Sequence, residues 1–546
     1  MNFRKRLQQQ SVYWYGAMAV MVLFAVFQLA TINQYGVSWD EKDEHLLANA
    51  LMQYIETGNV SEITLTGYPD LRHYGSSTPF LMMLCSVVSR QFLGLNVASA
   101  NHLYIVLLGV VTLVATYLWS RRVFGKRVAL WSILFLALFP QFIAHAQYNP
   151  KDIPQTAYIA LTYYFFYRCY HDRKFIFALL AGVVYGIALS TVVSVLIALP
   201  IFFGSYVLFI LFQDPVYRRA DWKQYLGKDA VLFLVFAATA ALTMYATWPL
   251  MWTEPTIFMD AVRLFQHHDW NGTVLYLGTV SYAAELPWHY APLYLFIVTP
   301  LSTIIFFVFG LVYAGKQVFK RVHLSAAHQE MTGTVTVHLT AVFRYGSLLL
   351  WALIPLAVFM LPGAVNYDGI RHFFMAIPPL MILAGIGLHA VIERLASLSV
   401  PYKRVLPIAI ICVFLFSIGA QIVQIHPYEG SYMNEIVRTV IPKHVEDFFE
   451  VEYWGPSYRE GVKWLNANAS QKSRVCIPFA PHLIDAYHTR KDLSFGCDQP
   501  YSYVMYFTRG GKRNTPQELT DHVDQARLVY TISRQGADYL YIYETK

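Results

Sequence analysis

Long unbroken apolar runs alternate with short polar stretches through the first 425 residues, and the pattern then stops. A helix crossing a bilayer needs about 20 apolar residues. Only helices and closed barrels satisfy every backbone group in lipid. The runs are continuous, not alternating, so they predict helices. Eleven spans are expected, at 12–32, 101–120, 128–147, 153–170, 175–191, 193–212, 230–249, 290–314, 346–362, 373–393 and 404–424. Two apolar stretches in the first outer loop predict surface helices instead. Over 40–57, Leu46, Leu47, Ala50, Leu51 and Tyr54 make one stripe against Asp43, Glu44 and Gln53. Residues 78–95 are nearly long enough to span, but crossing there would invert the charge of every later loop, so an interfacial helix is expected.

Beyond residue 425 the polar balance is ordinary. A helix is expected over Ser457 to Leu465, with strands at 474–479, 527–533 and 538–543 separated by Pro and Gly. The expected class is an α-helical polytopic membrane protein with a small C-terminal α/β domain. Its transmembrane domain occupies 1–425, with the first outer loop at 33–100, and the extracytoplasmic domain occupies 426–546.

Charge orients this arrangement. With the N-terminus inside, the inner loops carry twenty Lys and Arg, including Arg121, Arg122, Lys126, Arg127, Arg218, Arg219 and Arg404, while the outer loops carry six. That is the positive-inside bias. The first apolar run follows Arg4, Lys5 and Arg6 and lacks a small-residue cleavage site, so it is expected to be retained as a span. An odd number of spans puts the C-terminus outside.

Composition fits a chain solvated by lipid: 56% of residues are hydrophobic and 14% charged, against about 25% charged in soluble domains. The net charge of +7 is spread over short loops, so no nucleic-acid partner is expected. Of the five cysteines, Cys85, Cys169 and Cys412 lie in or beside apolar segments. Cys476 and Cys497 lie in the polar C-terminal part and can pair if that part faces an oxidising compartment; their separation stays open. Asn-x-Ser/Thr triplets at Asn59, Asn271 and Asn468 fall on the outer side and decide nothing about the membrane.

Ionisable residues clustered at one membrane face are functional candidates. Four groups project from span ends on the outer side: Trp39-Asp40-Glu41, Asn149-Pro150-Lys151-Asp152-Ile153-Pro154, Glu285-Leu286-Pro287-Trp288-His289-Tyr290, and Tyr367-Asp368-Gly369-Ile370-Arg371-His372. Each has a purely structural alternative. Asp40 and Asp152 can cap helices, Lys151 can snorkel to headgroups, Glu285 and His289 can form an i,i+4 pair, and Arg371 and His372 can bind phospholipid. Arg72 and His73 are further cationic candidates in the first loop.

Taken in order, these motifs resemble the GT-C superfamily of membrane glycosyltransferases. The nearest branch is the bacterial relatives of protein O-mannosyltransferases (glycosyltransferase family 39) and aminoarabinose transferases. His426-Pro427-Tyr428-Glu429 and Tyr453-Trp454-Gly455-Pro456-Ser457-Tyr458-Arg459-Glu460 resemble the start of the cap in that family. The resemblance implies a GT-C fold and a polyprenyl-phosphate sugar donor. It further implies inverting transfer to an acceptor hydroxyl of a protein, glycolipid or glycan at the extracytoplasmic face of a bacterial inner membrane. The family's carboxylate maps to Asp40, beside Glu41, with Asp152 as a further acid.

A hydroxyl needs a positioned base, and a low local dielectric is expected to raise the basicity of Asp40. A leaving phosphate needs cations, for which Lys151, Arg371, His372, Arg72 and His73 are expected. Tyr367, Glu285, His289 and Trp288 are expected in the acceptor or sugar pocket. No cofactor is required by this reading; a divalent ion stays open, with Glu285, His289 and His73 as possible ligands. Many relatives carry Lys-Pro-Pro or His-Pro-Pro before the second surface helix, where this chain has Ser77-Thr78-Pro79. A transporter or flippase of lipid-linked sugar, or a glycan ligase or polymerase of the same fold, is the alternative. Transporters place charge at the midplane, often within internal repeats. Neither feature is read here.

Overall fold

The computed structural model describes residues 3–58, 69–212, 222–266, 270–332, 340–399, 401–403, 405–498, 500–510, 516 and 526–545. Asn59, Arg218, Arg219 and Arg404 lie outside the described residues. The chain is mostly helical. It runs through α1 (Phe3–Thr31), α2 (Glu41–Thr57), α3 (Ser77–Leu93), α4 (Val97–Val123), α5 (Lys126–Ala137), α6 (Pro140–Tyr148), α7 (Asp152–Asp172), α8 (Phe175–Leu189), α9 (Ala198–Phe212) and α10 (Trp222–Thr247). The short α11 (Leu250–Thr253) and α12 (Ile257–Gln266) precede a hairpin of β1 (Thr273–Tyr276) and β2 (Thr279–Tyr282). Then come α13 (Tyr290–Ile297), α14 (Leu301–Thr332), α15 (Thr340–Val358), α16 (Ile377–Ala396) and α17 (Val405–Ile425).

The expected polytopic class is met. Among the described residues, eight helices are long and apolar enough to cross a membrane, or nine when the bent pair α5–α6 is one span. The difference from eleven lies in α7 and α8. α7 is almost wholly enclosed, so its sequence is rich in Tyr and Thr instead of lipid-like. α8 has only 15 residues. Two expected spans are also broken. α5 and α6 bend by 66° just before Pro140, where proline lacks the N–H a continuing helix needs. The run at 290–314 divides into α13 and α14 around Pro300.

α4 and α16 are mostly buried, whereas α1, α10, α14 and α17 are mostly exposed, so the first two stand at the centre. Trp119 of α4 stacks on Tyr163 of α7 at 5.2 Å, and Trp351 of α15 meets both edge-on at 5.5 and 5.0 Å. A Cβ on Gly387 would lie 1.8 Å from the Phe306 carbonyl oxygen, and one on Gly310 would lie 2.0 Å from that of Leu383. Only glycine lets α14 and α16 approach so closely, the small-residue contact used between helices in lipid.

The two stretches expected to lie on the surface are helical, as α2 and α3. α2 buries Leu47, Ala50, Leu51 and Tyr54. α3 exposes Phe80, Leu84, Val87, Val88, Phe92 and Leu93, a face suited to lipid. After α17, the short α18 (Glu435–Val440) and α19 (Tyr458–Asn468) lead to a five-stranded sheet. Its strands are β3 (Arg474–Cys476), β4 (Ser494–Phe495), β5 (Tyr503–Phe507), β6 (Arg527–Arg534) and β7 (Ala537–Glu544), in the order β4-β3-β5-β7-β6. β3 pairs in parallel with β4 and β5, and β7 is antiparallel to β5 and β6. Cys476 and Cys497 are joined by a disulfide.

Candidate active site

Three turns at one end of the bundle converge beneath the sheet domain. The first precedes α2. There Trp39 N–H donates to the Trp454 carbonyl at 3.0 Å, and Val37 N–H to the Tyr487 hydroxyl at 2.9 Å. A Cβ on Gly36 would lie 2.1 Å from the Pro456 carbonyl oxygen, so glycine is what lets this turn press on the cap. Asp40 precedes α2, but its side chain makes no capping bond; the capping alternative therefore does not describe it.

The second turn joins α6 to α7 and is organised by Asn149. Its Oδ1 accepts from Lys151 N–H at 3.1 Å and Asp152 N–H at 2.8 Å, while Nδ2 donates to Asp152 Oδ2 at 2.8 Å. Asparagine stabilises turns in this way by bonding backbone groups just ahead of it. The third turn precedes α16. Asp368 and Gly369 both have positive φ, 55° and 68°, and Gly369 N–H donates to the Tyr290 hydroxyl at 3.2 Å. Asp and Gly are among the residues that tolerate this region. The reversal sets Asp368 and Arg371 on the same side.

Arg371 is the centre. Nη2 donates to Asp40 Oδ2 at 2.7 Å, Nη1 donates to Asp368 Oδ2 at 2.9 Å, and Nε lies 3.4 Å from Asp152 Oδ2. Its guanidinium also sits 5.0 Å from the Trp454 ring and 5.5 Å from that of Tyr367. Lys151 Nζ is 3.6 Å from Asp40 Oδ1 and 4.6 Å from the centre of the Tyr74 ring. Arg509 of the cap donates to Asp368 Oδ1 at 2.9 Å. Three carboxylates (Asp40, Asp152, Asp368) thus meet three cations (Lys151, Arg371, Arg509), the complete pairing that buried charges require.

Burial pushes the Asp40 carboxyl up, but Arg371 and Lys151 outweigh it and hold it down at about 2. This reverses the expectation that the site makes Asp40 more basic: with both cations in place it is a firmly ionised, weak base. Burial disfavours the Lys151 ammonium, and Asp40 more than restores it, to well above the usual lysine range. Glu44, one turn along α2, is pushed up to about 8 by burial against the opposing pull of Lys151.

The remaining expected residues divide. Glu41 turns away from the cluster: Oε1 accepts from Ser38 N–H at 2.8 Å and faces His102 Nε2 at 3.2 Å. Arg72 pairs with Glu254, and His73 Nδ1 is buried without a hydrogen-bond partner; the neighbour that enters the site from this segment is Tyr74. His372 stacks on Phe359 at 5.6 Å and meets Tyr367 edge-on at 4.4 Å. Tyr367 lies in the site, stacked on Trp270 at 4.1 Å. Glu285 and Trp288 are exposed, and His289 bonds the Tyr276 hydroxyl at 2.7 Å. Ser77 and Thr78 turn their hydroxyls to Ser190 and Thr191.

Among the described residues, ligand-type atoms within 4.8 Å of one another occur at His444, Glu446 and Asp538 in the cap, apart from Glu285, His289 and His73. Two cavities, of about 450 and 290 Å³, open at the opposite end of the bundle around Arg344, and no expected site residue lines them. Asp368, Arg509, Trp454, Tyr74 and Trp270 were not among the expected site residues. Asp368 stood inside a motif already singled out, and Trp454 in the cap motif; the others carried no signal.

Residues 91–252 match the family model of dolichyl-phosphate-mannose-protein mannosyltransferases. The matched stretch is under a third of the chain, and it contains Asn149, Lys151 and Asp152. The resemblance to GT-C membrane glycosyltransferases related to that family is thereby supported by more than the motifs. An uncharacterized protein of Aquifex aeolicus (strain VF5) is 38% identical over 104 residues, covering 18% of this chain and 21% of that protein. The match therefore spans about a fifth of that relative's length.

Similarity to solved structures is distant. The archaeal oligosaccharyltransferase AglB from Archaeoglobus fulgidus, in complex with an inhibitory peptide and a dolichol-phosphate, is 13% identical with a TM-score of 0.48, over 93% of this chain and 70% of that one. ArnT from Cupriavidus metallidurans bound to undecaprenyl phosphate is 14% identical with a TM-score of 0.42, over 98% of each chain. Arabinofuranosyltransferase AftD from Mycobacteria is 12% identical with a TM-score of 0.42, over 98% of this chain and 40% of that one.

Proposed function

We propose that this chain is an inverting glycosyltransferase that moves a sugar from a polyprenyl-phosphate donor to an acceptor hydroxyl on the extracytoplasmic face of a bacterial inner membrane. The observation that carries the reading is the meeting of Asp40 with Arg371 at 2.7 Å and Lys151 at 3.6 Å. A carboxylate from the first outer loop and two cations from later turns thereby share one point at the end of the bundle.

The chemistry follows from their charges. The donor phosphate enters between Arg371 and Lys151 and takes over both cations from Asp40. Freed of them, Asp40 regains the basicity of an ordinary buried carboxylate and accepts the acceptor's hydroxyl proton. The acceptor oxygen bonds to the sugar C1 as the bond from C1 to the phosphate oxygen breaks. The phosphate leaves with that electron pair, and Arg371 and Lys151 stabilise its added charge. The chain supplies both cations, so the proposal includes no metal or other cofactor.

Two observations support the side of the membrane. Basic residues gather in the loops at the other end of the spans, and the cap carries the Cys476–Cys497 disulfide, which persists in an oxidising compartment. The N-terminus is then cytoplasmic and the cap periplasmic. The test is to incubate purified protein with a panel of polyprenyl-phosphate sugars and acceptors and to measure released polyprenyl phosphate, with carrier flipping assayed separately. Release that depends on Asp40 is expected. Flipping without release would identify a transporter instead.

A further inference from the structure

Arg509 lies two residues beyond β5 in the cap, yet it reaches the centre of the ion network. Nη2 donates to Asp368 Oδ1 at 2.9 Å and Nη1 to the Tyr453 carbonyl at 3.2 Å. The Trp39 and Trp270 rings flank the guanidinium at 5.6 and 5.8 Å. The other oxygen of Asp368, Oδ2, accepts from Arg371 Nη1 at 2.9 Å and from Trp454 Nε1 at 3.0 Å. One carboxylate, only 2% exposed, therefore divides its oxygens between an arginine of the cap and an arginine of the bundle.

We infer that Arg509 is a positioning residue: by occupying Asp368 Oδ1 it limits the hold of Asp368 on Arg371 and keeps that guanidinium turned toward Asp40. This rests on the glycosyl-transfer reading only for its consequence in catalysis. Arg371 and Asp368 are three residues apart on one turn, while Asp40 reaches Arg371 from a separate element. Arg509 also faces the buried Glu450. Without Arg509, Glu450 would lose its cation, Asp40, Asp152 and Asp368 would share two, and the carboxylate with the shortest tether would draw Arg371 most strongly. Arg371 would then swing toward Asp368 and lose its bond to Asp40. The Trp39–Trp454 backbone bond does not involve Arg509, so the cap has a separate tie to the bundle.

The test begins with a structure of the full-length R509A variant. Arg371 is expected out of hydrogen-bond reach of Asp40, with the cap still seated. An unmoved Arg371 overturns the inference, and this readout needs no activity. A wild type inactive with every donor would sink the transfer reading while leaving the structural result to stand.

Where the wild type is active, R509A is expected to lower kcat by about 10- to 100-fold, the scale of a misplacement near 1 Å. The acceptor KM is expected to hold steady and the acid limb of the pH profile to move upward. R509K keeps a cation beside Asp368 and is expected to recover most of the rate. In a D368N background, removing Arg509 is expected to add little, because coupled residues are not additive. Additive losses, or R509K no better than R509A, would overturn the inference. Should R509A fail to fold, the comparison of R509K with R509K/D368N carries the same test.

Discussion

Two regions of the molecule offered the same kinds of side chain and met different fates. The turns holding Asp40, Lys151, Asp152 and Arg371 close into one enclosed ion network. The segment Glu285 to Tyr290 offers an acid, a tryptophan and a histidine, yet Glu285 is exposed and Trp288 is 63% exposed. The difference is one of partners. Each residue of the first group finds an opposite charge from a distant part of the chain: Arg371 and Asp40 are 331 positions apart. The glutamate of the second group stays in solvent, and His289 is held by a tyrosine of the adjacent hairpin. Charge at a span end is common; enclosure and opposite charges from other turns set the first region apart from the second.

The widest separation between the two regions is expected at Arg371. R371A leaves three carboxylates short of a cation, and breaking such a pair costs about 3–5 kcal/mol of stability. Transfer is expected to vanish and thermal unfolding to come earlier. R371K is expected to fold but transfer poorly, because a single ammonium cannot span three carboxylates. A freely active R371A would dissolve the contrast.

D40N comes next. Loss of a general base lowers turnover by about 10²- to 10⁴-fold, while polyprenyl phosphate should bind at least as well, since Asp40 no longer competes for the two cations. E41Q, whose side chain points toward His102, is expected to cost far less in turnover. Equal losses at the two positions would mean that Asp40 has no role beyond that of Glu41.

A smaller effect concerns pH. The Asp40 carboxyl is lowered in the folded protein to about 2, from about 3.9 in an unfolded chain. Its ion pairs therefore stabilise fully above the unfolded value and weaken as pH falls from there toward 2. The burial-raised Glu452, at about 7, has the opposite sign: its contribution is lost as pH rises from about 4.3, the unfolded value, through 7. Unfolding midpoints of D40N and E452Q across this range should show reduced acid and reduced neutral-side slopes, respectively. The smallest effects belong to the exposed segment. E285Q and W288A should each keep transfer within about twofold, as surface changes usually stay within ±0.5 kcal/mol. A large loss there would return that segment to the site.

Much of this was legible in the chain. Apolar run length located the spans, because lipid demands it; α7 is a 21-residue helix at the expected place, less apolar than the other spans because other helices enclose it. The surface helices followed from the stripe on α2 and from the charge of later loops. In the cap, β6 and β7 stood out through their length, while β4, with two residues, left no pattern. Asp40, Lys151, Asp152 and Arg371 were readable because each sits in a tight turn with a motif. Arg509 was not: it follows an ordinary buried strand, and its partner lies 141 positions earlier. The pull of two cations on Asp40 was equally hidden, since burial alone argues for the opposite shift.

The backbone bond from Trp39 to Trp454 joins segments more than four hundred positions apart. Ribosomes add about 5–20 residues per second, so roughly 20–80 s pass between the appearance of one partner and the other. During that interval the growing chain carries Asp40, Asp152 and Asp368 before Trp454 and Arg509 exist to enclose them. Under the proposed function, donor turnover would therefore begin only after the sheet domain has been seated on the ion network.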